Sequence, residues 1–343
     1  MSNRLIFTGQ RQVSFIPTDI PAVPGAGQVR IRALCSLIST GTEGIVFNRL
    51  FDAGTHWDNW VKYPFTPGYS LIAEVEAVGA GVTTLAVGQR VAARLPHTSH
   101  AVINAGDCIP VPAGIDPHQA AWFALAKITF IGVRAAAPAL GDDVLVVGAG
   151  PIGQMVTRWL HAFGVRNLVI ADPMATRMDL ARRGGASAVI AKPLAEAGAE
   201  IAAAFGGQRP RVVMDSTGNA HVFAAALGAV RDRGKVVIMG DTGSPASQKL
   251  TSDVITRGLT IVGAHDGHGD AEWNDQTISA LFFRMLADGR INLDGMESHA
   301  FAPQDCAAAY DLITTRRSET MGVIFDWTGA TKAVTLKAAA AGA

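Results

Sequence analysis

A glycine-rich segment between residues 148 and 153 has the residue types and the spacing that can bind a phosphate group. The segment reads GAGPIG, directly follows the apolar run VLVV and directly opens a helix-like stretch. Gly148 permits a tight turn, Gly150 lets the backbone approach a pyrophosphate at the positive helix N-terminus, and Gly153 lets helix and strand pack closely. A tight turn without a ligand is the alternative, but the flanking strand and helix favour a dinucleotide site.

Asp172 stands at the end of the next strand-like run. A carboxylate at that position accepts hydrogen bonds from the adenosine ribose hydroxyls and repels a 2′-phosphate, so it favours NAD over NADP. A cap on the following helix is the alternative role for Asp172. Arg177 lies one turn into that helix, where it either flanks the adenine or is an ordinary solvated arginine. The other residues that we expect to line the cofactor are Pro151, Ile152, Thr217, Gly240 and His265.

The chain from Asp142 onward alternates strand-like and helix-like stretches, and these must position the glycine turn. Near-continuous Val and Ile runs indicate strands that are buried on both faces, as in a parallel sheet. The strand-like runs are 144–148, 167–172, 187–191, 211–216, 235–240 and 259–264, and the helix-like stretches are 152–163, 174–183, 221–230 and 246–257. Strands that alternate with helices predict a doubly wound α/β domain.

The chain before Pro117 has a different pattern, with short Val- and Ile-rich runs between glycines. Residues 28–33, 71–78 and 89–93 are examples, and they predict short, twisted, partly antiparallel strands. Helix-like stretches at 118–137, 275–288 and 303–314 and a strand-like run at 321–327 complete the pattern. The sequence therefore predicts a β-rich domain in addition to the α/β domain.

The overall composition excludes several classes of protein. Lys plus Arg equals Asp plus Glu at 29 each, and a net charge of zero gives no general attraction to nucleic acids or acidic membranes. Three scattered cysteines without C-x-x-C spacing indicate reduced thiols. The N-terminus lacks an apolar signal-peptide core, and every apolar stretch is broken before about 20 residues. We therefore expect a cytoplasmic protein with a small-molecule partner.

The order of a Gly/Val-rich β domain, a G-x-G-x-x-G domain and a return segment resembles the medium-chain dehydrogenase/reductase superfamily, which includes zinc alcohol and polyol dehydrogenases. The similarity extends over residues 5–327 and includes PGY at 67–69, the stretch 79–91 and DSTG at 215–218. The stretches STGTE at 39–43, INLDG at 291–295 and IFDW at 324–327 also resemble one zinc-free branch, the bacteriochlorophyllide hydroxyethyl dehydrogenases.

This resemblance implies a domain organisation and an assembly. The domains are a GroES-like catalytic domain at 1–126, a Rossmann NAD-binding domain at 127–267, a return to the catalytic domain at 268–327 and a flexible tail at 328–343. The predicted fold class is α/β, with a GroES-like β-rich catalytic domain plus a doubly wound Rossmann domain. The family commonly forms homodimers or homotetramers through edge strands of the Rossmann sheet, and 259–264 is the candidate edge.

The residues at the family's zinc-ligand positions differ from those of its zinc enzymes. The resemblance places Ser39, Tyr69 and Lys127 at the three catalytic-zinc positions, and these side chains do not make a zinc site. The four-cysteine lobe of the structural zinc is replaced by a short segment with His97 and His100, whose H-x-x-H spacing alone is poor support for a metal. We therefore predict that the protein binds neither metal.

Without zinc, side chains must stabilise the negative charge that develops on a ketone oxygen during reduction. We expect Tyr69 to be the acid/base, with Lys127 either as a cation that lowers the pKa of the phenol or as the proton donor itself. Ser39, Thr42 and Glu43 would orient substrate hydroxyls or relay the proton. The alternative is that Tyr69 is a packed tyrosine with a satisfied hydroxyl and that Lys127 extends to solvent.

His265 lies in the loop just after the last strand-like run of the α/β domain, a position that borders the nicotinamide in this family. It is a candidate second acid/base or substrate ligand. A surface histidine in a glycine-rich loop is the alternative that the sequence favours.

These residues predict an enzyme that interconverts a secondary alcohol and a ketone with NAD and without zinc. Hydroxyl-bearing and aromatic residues suggest a polyhydroxylated ring, such as a sugar or a cyclitol, as substrate. One alternative is a quinone or enoyl reductase that acts on a conjugated C=C. Zinc-free relatives of that kind usually prefer NADPH, which Asp172 argues against. The other alternative is a non-catalytic sensor that binds NAD(H).

Overall fold

The computed structural model describes residues 2–329. The strands are β1 Ser2–Gly9, β2 Gln12–Thr18, β3 Gln28–Ile38, β4 Leu71–Val78, β5 Arg90–Ala93, β6 His100–Asn104, β7 Ile109–Pro110, β8 Asp143–Val147, β9 Asn167–Ala171, β10 Ala188–Ile190, β11 Val212–Asp215, β12 Lys235–Ile238, β13 Thr260–Gly263, β14 Glu297–Phe301 and β15 Gly322–Asp326. The helices are α1 Thr42–Asn48, α2 His56–Trp60, α3 Pro117–Ala120, α4 Phe123–Ala136, α5 Pro151–Phe163, α6 Met178–Arg183, α7 Gly198–Ala204, α8 Ala220–Ala229, α9 Asp253–Thr256, α10 Asp275–Ala287 and α11 Cys306–Thr315.

The chain divides into two compact units. The first unit contains the chain up to Leu50, Trp60–Ala124 and the described residues from Leu293 onward. The second unit contains Phe51–Asn59 and Leu125–Asn292. The return to the first unit thus falls at Leu293, later than the predicted residue 268, because α10 packs its apolar face within the second unit. Most of the predicted tail at 328–343 lies outside the described residues.

The first unit is built on a mainly antiparallel sheet, as the short Val- and Ile-rich runs predict. The strand order is β14-β15-β3-β4-β5-β7, with β6 also paired to β3, and β1 and β2 form a separate hairpin. Buried and half-buried residues alternate along most of β3. Its buried Val29 and Ile31 meet Ala73 and Val75 of β4 in one apolar cluster. This period of two places one face of the sheet in the core.

The second unit is a six-stranded parallel sheet in the order β10-β9-β8-β11-β12-β13. Every residue of β8 is buried, so its near-continuous apolar sequence reflects cover on both faces. The strand order reverses between β8 and β11, and open α/β sheets bind ligands beyond the carboxyl ends of the strands at such a switch point. The prediction of a doubly wound domain is confirmed, and β13 is the edge strand that the sequence indicates.

Two predicted helices are wrong in extent. The stretch 118–137 divides into α3 and α4, with a break at Ala121 and Trp122. The stretch 246–257 contains only a 3₁₀ turn at Pro245–Ser247 and the four residues of α9. Thr251 donates its hydroxyl to Asp253 there, and such local side-chain bonds compete with helix formation. Within the described residues, no helix is both long enough and apolar enough to cross a membrane.

A histidine–carboxylate pair in the first unit connects α3 to β14. His118 Nδ1 lies 2.9 Å from Glu297 Oε2, and both side chains are half-buried. The hydrogen bond with Glu297 raises the pKa of His118 against the opposing effect of desolvation, and the charges of Glu297, Asp116 and Asp326 act in the same direction as that bond. A raised histidine pKa in the folded state makes the pair more stabilising when the imidazole is protonated.

We expect the stabilising effect of His118 to depend on pH. It is complete below the pKa of an unfolded histidine, about 6.5, and is lost as pH rises through the higher folded pKa. Replacement His118→Gln should therefore lower the thermal midpoint more at pH 6 than at pH 9, by an amount equivalent to about 1 kcal/mol or less for a partly solvated pair. Scanning calorimetry at the two pH values measures this difference. His221→Gln, at an exposed histidine, is the control. An equal loss at both pH values for His118→Gln would contradict the pairing.

Candidate functional site

The glycine turn at the start of α5 has the geometry that a bound pyrophosphate requires. Gly148 has a φ of +92°, which L side chains rarely adopt. A Cβ at Gly153 would lie 1.8 Å from the carbonyl oxygen of Gly148, so only glycine permits this approach of helix and strand. Gly150 is the N-cap of α5 and Pro151 is its first residue, which leaves the backbone at the helix N-terminus open to an anion. Ile152 follows in the first turn of the helix.

Asp172 lies directly beside this turn. Its Oδ2 accepts the backbone N–H of Ala149 at 2.7 Å, and its Oδ1 accepts the N–H of Met174 at 2.8 Å. A carboxylate has about four acceptor positions, so two are left for ribose hydroxyls. Arg177 Nη1 lies 3.8 Å from Asp172 Oδ2, and a Cβ at Gly150 would lie 3.6 Å from the same Nη1. Asp172 and Arg177 are therefore both neighbours of the glycine turn.

Thr217 and Gly240 form the opposite side of the same turn. A Cβ at Gly148 would lie 3.0 Å from Thr217 Cγ2, and a Cβ at Gly240 would lie 2.7 Å from Thr217 N. The Thr217 N–H and hydroxyl both donate to Asp215 Oδ1, at 2.9 and 2.7 Å. Asp215 Oδ2 is buried without a hydrogen-bond partner among the described residues, and burial raises the pKa of this carboxyl. The predicted cofactor residues other than His265 thus form one cluster at the switch point.

Lys127 is a buried residue of α4 whose ammonium group is already engaged. Its Nζ donates to the backbone oxygen of Asp266 at 2.5 Å and to Asp266 Oδ1 at 2.8 Å. Asp275 Oδ1 lies 3.6 Å from the same nitrogen. The alternative in which Lys127 extends to solvent is wrong, because only 6% of the residue is exposed. Lys127 instead ties α4 to the loop after β13 and to the start of α10.

His265 lies in that loop and is exposed. Its Nδ1 accepts the N–H of Gly267 at 3.0 Å, and its own N–H donates to His268 Nδ1 at 3.3 Å. One ring nitrogen therefore stabilises the loop. His265 directly precedes Asp266, the residue that Lys127 binds. Its catalytic role stays a prediction.

Tyr69 of the first unit forms a hydrogen bond with Ser39, one of the residues that the sequence analysis groups with it. The Tyr69 hydroxyl donates to Ser39 Oγ at 2.5 Å, and the Thr42 side chain is a second hydrogen-bond neighbour. The guanidinium of Arg94 lies over the ring, with its Cζ 4.8 Å from the centroid. Three hydroxyl groups and one cation thus meet at one point of the first unit.

The predicted direction of the Tyr69 pKa is wrong. Desolvation raises the pKa of the phenol, and this effect outweighs the hydrogen bonds with Ser39 and Thr42 and the charge of Arg94, which lower it. Glu43 raises it further. The cation that acts on the ring is Arg94, and the ammonium of Lys127 is neutralised by carboxylates of its own unit. Tyr69 is therefore a protonated phenol at neutral pH and is suited to donate a proton.

Glu43 belongs to the same group of residues but faces the interior. The residue is 2% exposed, and both of its carboxylate oxygens accept hydrogen bonds from protein donors. A carboxylate in this position has no free face for a substrate hydroxyl. Its predicted role of orienting the substrate directly is therefore not supported by its contacts.

Comparison with known families identifies both units. Residues 25–148 match the family model of the alcohol dehydrogenase GroES-like domain, and residues 151–282 match that of the zinc-binding dehydrogenases. The chain belongs to the medium-chain dehydrogenase/reductase superfamily. The resemblance that the sequence motifs predict is confirmed at this level.

Individual members of the superfamily share modest identity with the chain. An L-threonine 3-dehydrogenase of Anaeromyxobacter sp. (strain K) is 27% identical over 346 residues, which cover 90% of this chain and 94% of the relative. A D-guloside 3-dehydrogenase of Escherichia coli (strain K12) is 28% identical over 243 residues, which cover 65% of this chain and 69% of the relative. The crystal structure of a short chain alcohol dehydrogenase from E. coli CFT073 in complex with NADH has a TM-score of 0.78 at 23% identity and covers 95% of this chain and 99% of that one. This last similarity establishes the fold alone.

The superfamily includes zinc enzymes, but the side chains of this member do not fit a zinc ion. Ser39 and Tyr69 are neutral hydroxyls that bond to each other, and Lys127 is a cation with three donors and no lone pair. Within residues 2–329, no group of three or more His, Cys, Asp or Glu side chains is arranged to hold a metal. The residues of the second unit, by contrast, fit a nicotinamide dinucleotide through the helix N-terminus, Asp172 and the open backbone at Gly150.

Several residues around these sites belong to no sequence motif that would mark them as part of a functional site. Arg94, which lies over Tyr69, and Asp275, which faces Lys127, are ordinary charged residues in the sequence. Tyr310, which contacts Glu43, is 267 positions away from it in the chain. Only the return of the chain through α11 to the first unit brings Tyr310 to that position, so no spacing rule predicts the contact.

Proposed function

We propose that this member of the medium-chain superfamily interconverts a secondary alcohol and a ketone with NAD as the preferred cofactor and without a catalytic zinc. Its superfamily supports the coarser statement, that the chain is an alcohol dehydrogenase of the medium-chain type. The cluster of Tyr69, Ser39 and Thr42 carries the finer proposal. Ser39 and Tyr69 stand at two of the positions that the family resemblance assigns to zinc ligands, and Thr42 adds a third hydroxyl beside them.

The chemistry of the reduction follows from the contacts of Tyr69. A nicotinamide dinucleotide bound at the glycine turn would supply the hydride that the carbonyl carbon accepts. The Tyr69 phenol donates its proton to the carbonyl oxygen as negative charge develops there. The Ser39 and Thr42 hydroxyls can then donate to the phenolate oxygen, and hydrogen bonds to a charged form stabilise it. Alcohol oxidation reverses these steps, with the phenolate as base.

Lys127 has a supporting role in this proposal. Its ammonium group donates to both the backbone oxygen and the carboxylate of Asp266, so two of its three N–H donors are engaged within its own unit. We therefore assign the proton transfer to Tyr69 and assign to Lys127 the positioning of the loop that carries His265. The proposal thus takes Tyr69, and neither Lys127 nor His265, as the acid/base.

The choice of NAD depends on Asp172. Its carboxylate is fixed by two backbone donors at the end of β9, where it would repel a 2′-phosphate. A cation at Arg177 favours NADP, but its Nη1 lies 3.8 Å from Asp172 Oδ2, and the carboxylate offsets its charge. Proteins of the same fold have structures with NADH and with NADP bound, so the preference for NAD is argued from Asp172.

The substrate class is a polyhydroxylated ring, such as a sugar or a cyclitol. One relative is named a D-guloside 3-dehydrogenase, and another is named an L-threonine 3-dehydrogenase. Both names describe the oxidation of a hydroxyl group at position 3 of a polar molecule. A polar substrate also agrees with the hydroxyl groups of Ser39, Thr42 and Tyr69.

Replacement Tyr69→Phe removes the proposed proton donor and keeps the ring beneath Arg94. We expect kcat for ketone reduction to fall roughly 100-fold or more, because positioned acid catalysis contributes at least that factor. The Kd for NADH should be unchanged, because the cofactor residues belong to the second unit. A panel of polyols with NAD, and the matching ketones with NADH, measures these rates.

Tyr63→Phe is the control for the loss of a tyrosine hydroxyl, since Tyr63 donates to the backbone oxygen of Val46 and not to Ser39. Near-normal turnover of Tyr69→Phe would contradict the assignment of the acid. Turnover of enones with NADPH but of no alcohol would favour the reductase alternative, and NAD binding without any turnover would favour the sensor.

Replacement Asp172→Asn tests the cofactor preference separately. We expect the ratio of kcat/KM for NAD to that for NADP to fall at least about tenfold, because a like charge next to the 2′-phosphate costs several kcal/mol. Initial rates with each cofactor give the ratio. Asp179→Asn, at an exposed carboxylate of α6 that pairs with Arg182, is the control. An unchanged ratio in Asp172→Asn would show that the carboxylate does not select the cofactor.

A further inference from the structure

A buried chain of polar side chains lies in the first unit next to the Tyr69–Ser39 contact. The Trp327 indole N–H donates to Ser36 Oγ at 2.9 Å, and Ser36 Oγ lies 2.8 Å from His97 Nδ1. His97 Nε2 lies 3.0 Å from Glu43 Oε2, and the Tyr310 hydroxyl donates to the same oxygen at 2.5 Å. Of these residues, Ser36, His97 and Tyr310 have no exposed surface.

The indole N–H at the end of this chain can only donate, so Ser36 Oγ accepts that hydrogen bond. His97 joins Ser36 to Glu43 through its two ring nitrogens. A carboxylate can only accept, so His97 Nε2–H is the donor to Glu43 Oε2. Burial and the charge of Glu43 raise the pKa of Tyr310 well above its usual value, so its phenol is also a permanent donor. Glu43 is therefore a buried acceptor with two side-chain donors on one oxygen.

The other oxygen of Glu43 holds Ser39. Glu43 Oε1 accepts the backbone N–H of Ser39 at 2.8 Å, and the Glu43 N–H donates back to the Ser39 carbonyl at 2.8 Å. These two reciprocal bonds fix the turn that starts α1. Because the Ser39 side chain accepts the Tyr69 hydroxyl, the position of Glu43 determines one end of the Tyr69–Ser39 hydrogen bond.

His97 also determines the other end of that bond. Its backbone N–H donates to Pro67 O at 3.0 Å, and its ring lies against Gly68, the residue before Tyr69. A Cβ at Gly68 would lie 2.7 Å from His97 Cδ2, so the ring and the turn fit only with glycine there. One imidazole thus contacts both the turn that carries Tyr69 and the carboxylate that holds Ser39.

We propose that His97, Glu43 and Tyr310 are positioning residues for the reaction and that they set the hydrogen bond between Tyr69 and Ser39. The proposal rests on the function proposed for Tyr69. None of the three side chains reaches the substrate in this account. They act by holding two turns in the geometry that gives the phenol its proton acceptors.

The cost of the arrangement supports a functional role. Burying a carboxylate is unfavourable even when it is fully hydrogen-bonded, and an apolar group of the same volume is often as stabilising or more so. Buried polar networks that satisfy every member specify one geometry, which is what a proton donor and its acceptor need. Apolar side chains at these positions would stabilise the core of the first unit equally well.

The three tyrosines of the chain, Tyr63, Tyr69 and Tyr310, allow a test that does not depend on activity. Labelling with 3-fluorotyrosine gives one ¹⁹F resonance for each tyrosine, and the three single Tyr→Phe variants assign them. We expect Tyr310→Phe and Glu43→Gln each to shift the Tyr69 resonance and to leave the Tyr63 resonance in place. Tyr63→Phe, which removes a hydroxyl bonded to the same helix α1, should not move the Tyr69 resonance.

The kinetic consequence is measured on the unlabelled enzyme with the same variants. We expect Tyr310→Phe and Glu43→Gln to lower kcat between about tenfold and 100-fold, as small misplacements of a reacting group do. The Kd for NADH of Tyr310→Phe should stay close to the parent value, whereas its thermal midpoint should fall, because the buried Glu43 carboxylate loses one of its donors. The effect of Tyr310→Phe on kcat should largely disappear in a Glu43→Gln background, because the two act through one contact.

The outcomes separate this proposal from the proposed function. An unmoved Tyr69 resonance in both variants, or kcat effects of Tyr310→Phe and Glu43→Gln that add, would overturn the positioning role. If Tyr69→Phe itself turns over normally, the assignment of Tyr69 as acid fails. The ¹⁹F shifts then still decide whether the three residues set its hydrogen bond.

Discussion

The carboxylate of Glu43 is the constraint around which the first unit organises its polar interior. A charge with 2% of its residue surface exposed must be surrounded by donors, because an isolated buried carboxylate is strongly unfavourable. The donors come from three distant parts of the chain: the backbone at Ser39, the imidazole of His97 and the phenol of Tyr310. To satisfy this one group, the chain must bring β3, the segment before β6 and α11 together. The Tyr69–Ser39 contact is formed where they meet.

The second unit has a different requirement, which is to keep backbone N–H groups available to bind an anion. The N-terminus of α5 offers its N–H groups to an anion only because glycines let the strand and the helix approach without side chains between them. Asp172 completes this arrangement, since it holds Ala149 of the turn and still has acceptor capacity for a ribose. In the proposed reaction, the first unit contributes the proton transfer and the second unit contributes the cofactor binding.

Sequence patterns predict the parts of this structure that depend on residues close together in the chain. The buried Val and Ile runs and the glycine turn at 148–153 predict the parallel sheet and its switch point, because parallel strands are apolar throughout and the turn needs glycine. The same patterns cannot predict the environment of a charge. Lys127 is predicted to act on the Tyr69 phenol but is bonded to Asp266, and the pKa of Tyr69, which is predicted to be lowered, is raised by burial. Both differences arise from tertiary contacts at long sequence separation, as does the contact between Glu43 and Tyr310.

The central claim is that hydroxyl groups of the first unit do the work that a divalent ion does in zinc members of the superfamily. The most direct measurement is the metal content of purified, active enzyme by mass spectrometry, with turnover followed before and after treatment with 1,10-phenanthroline. The account predicts substoichiometric zinc and turnover that the chelator leaves unchanged. One zinc per chain, with activity lost on chelation and restored by added Zn²⁺, would contradict it.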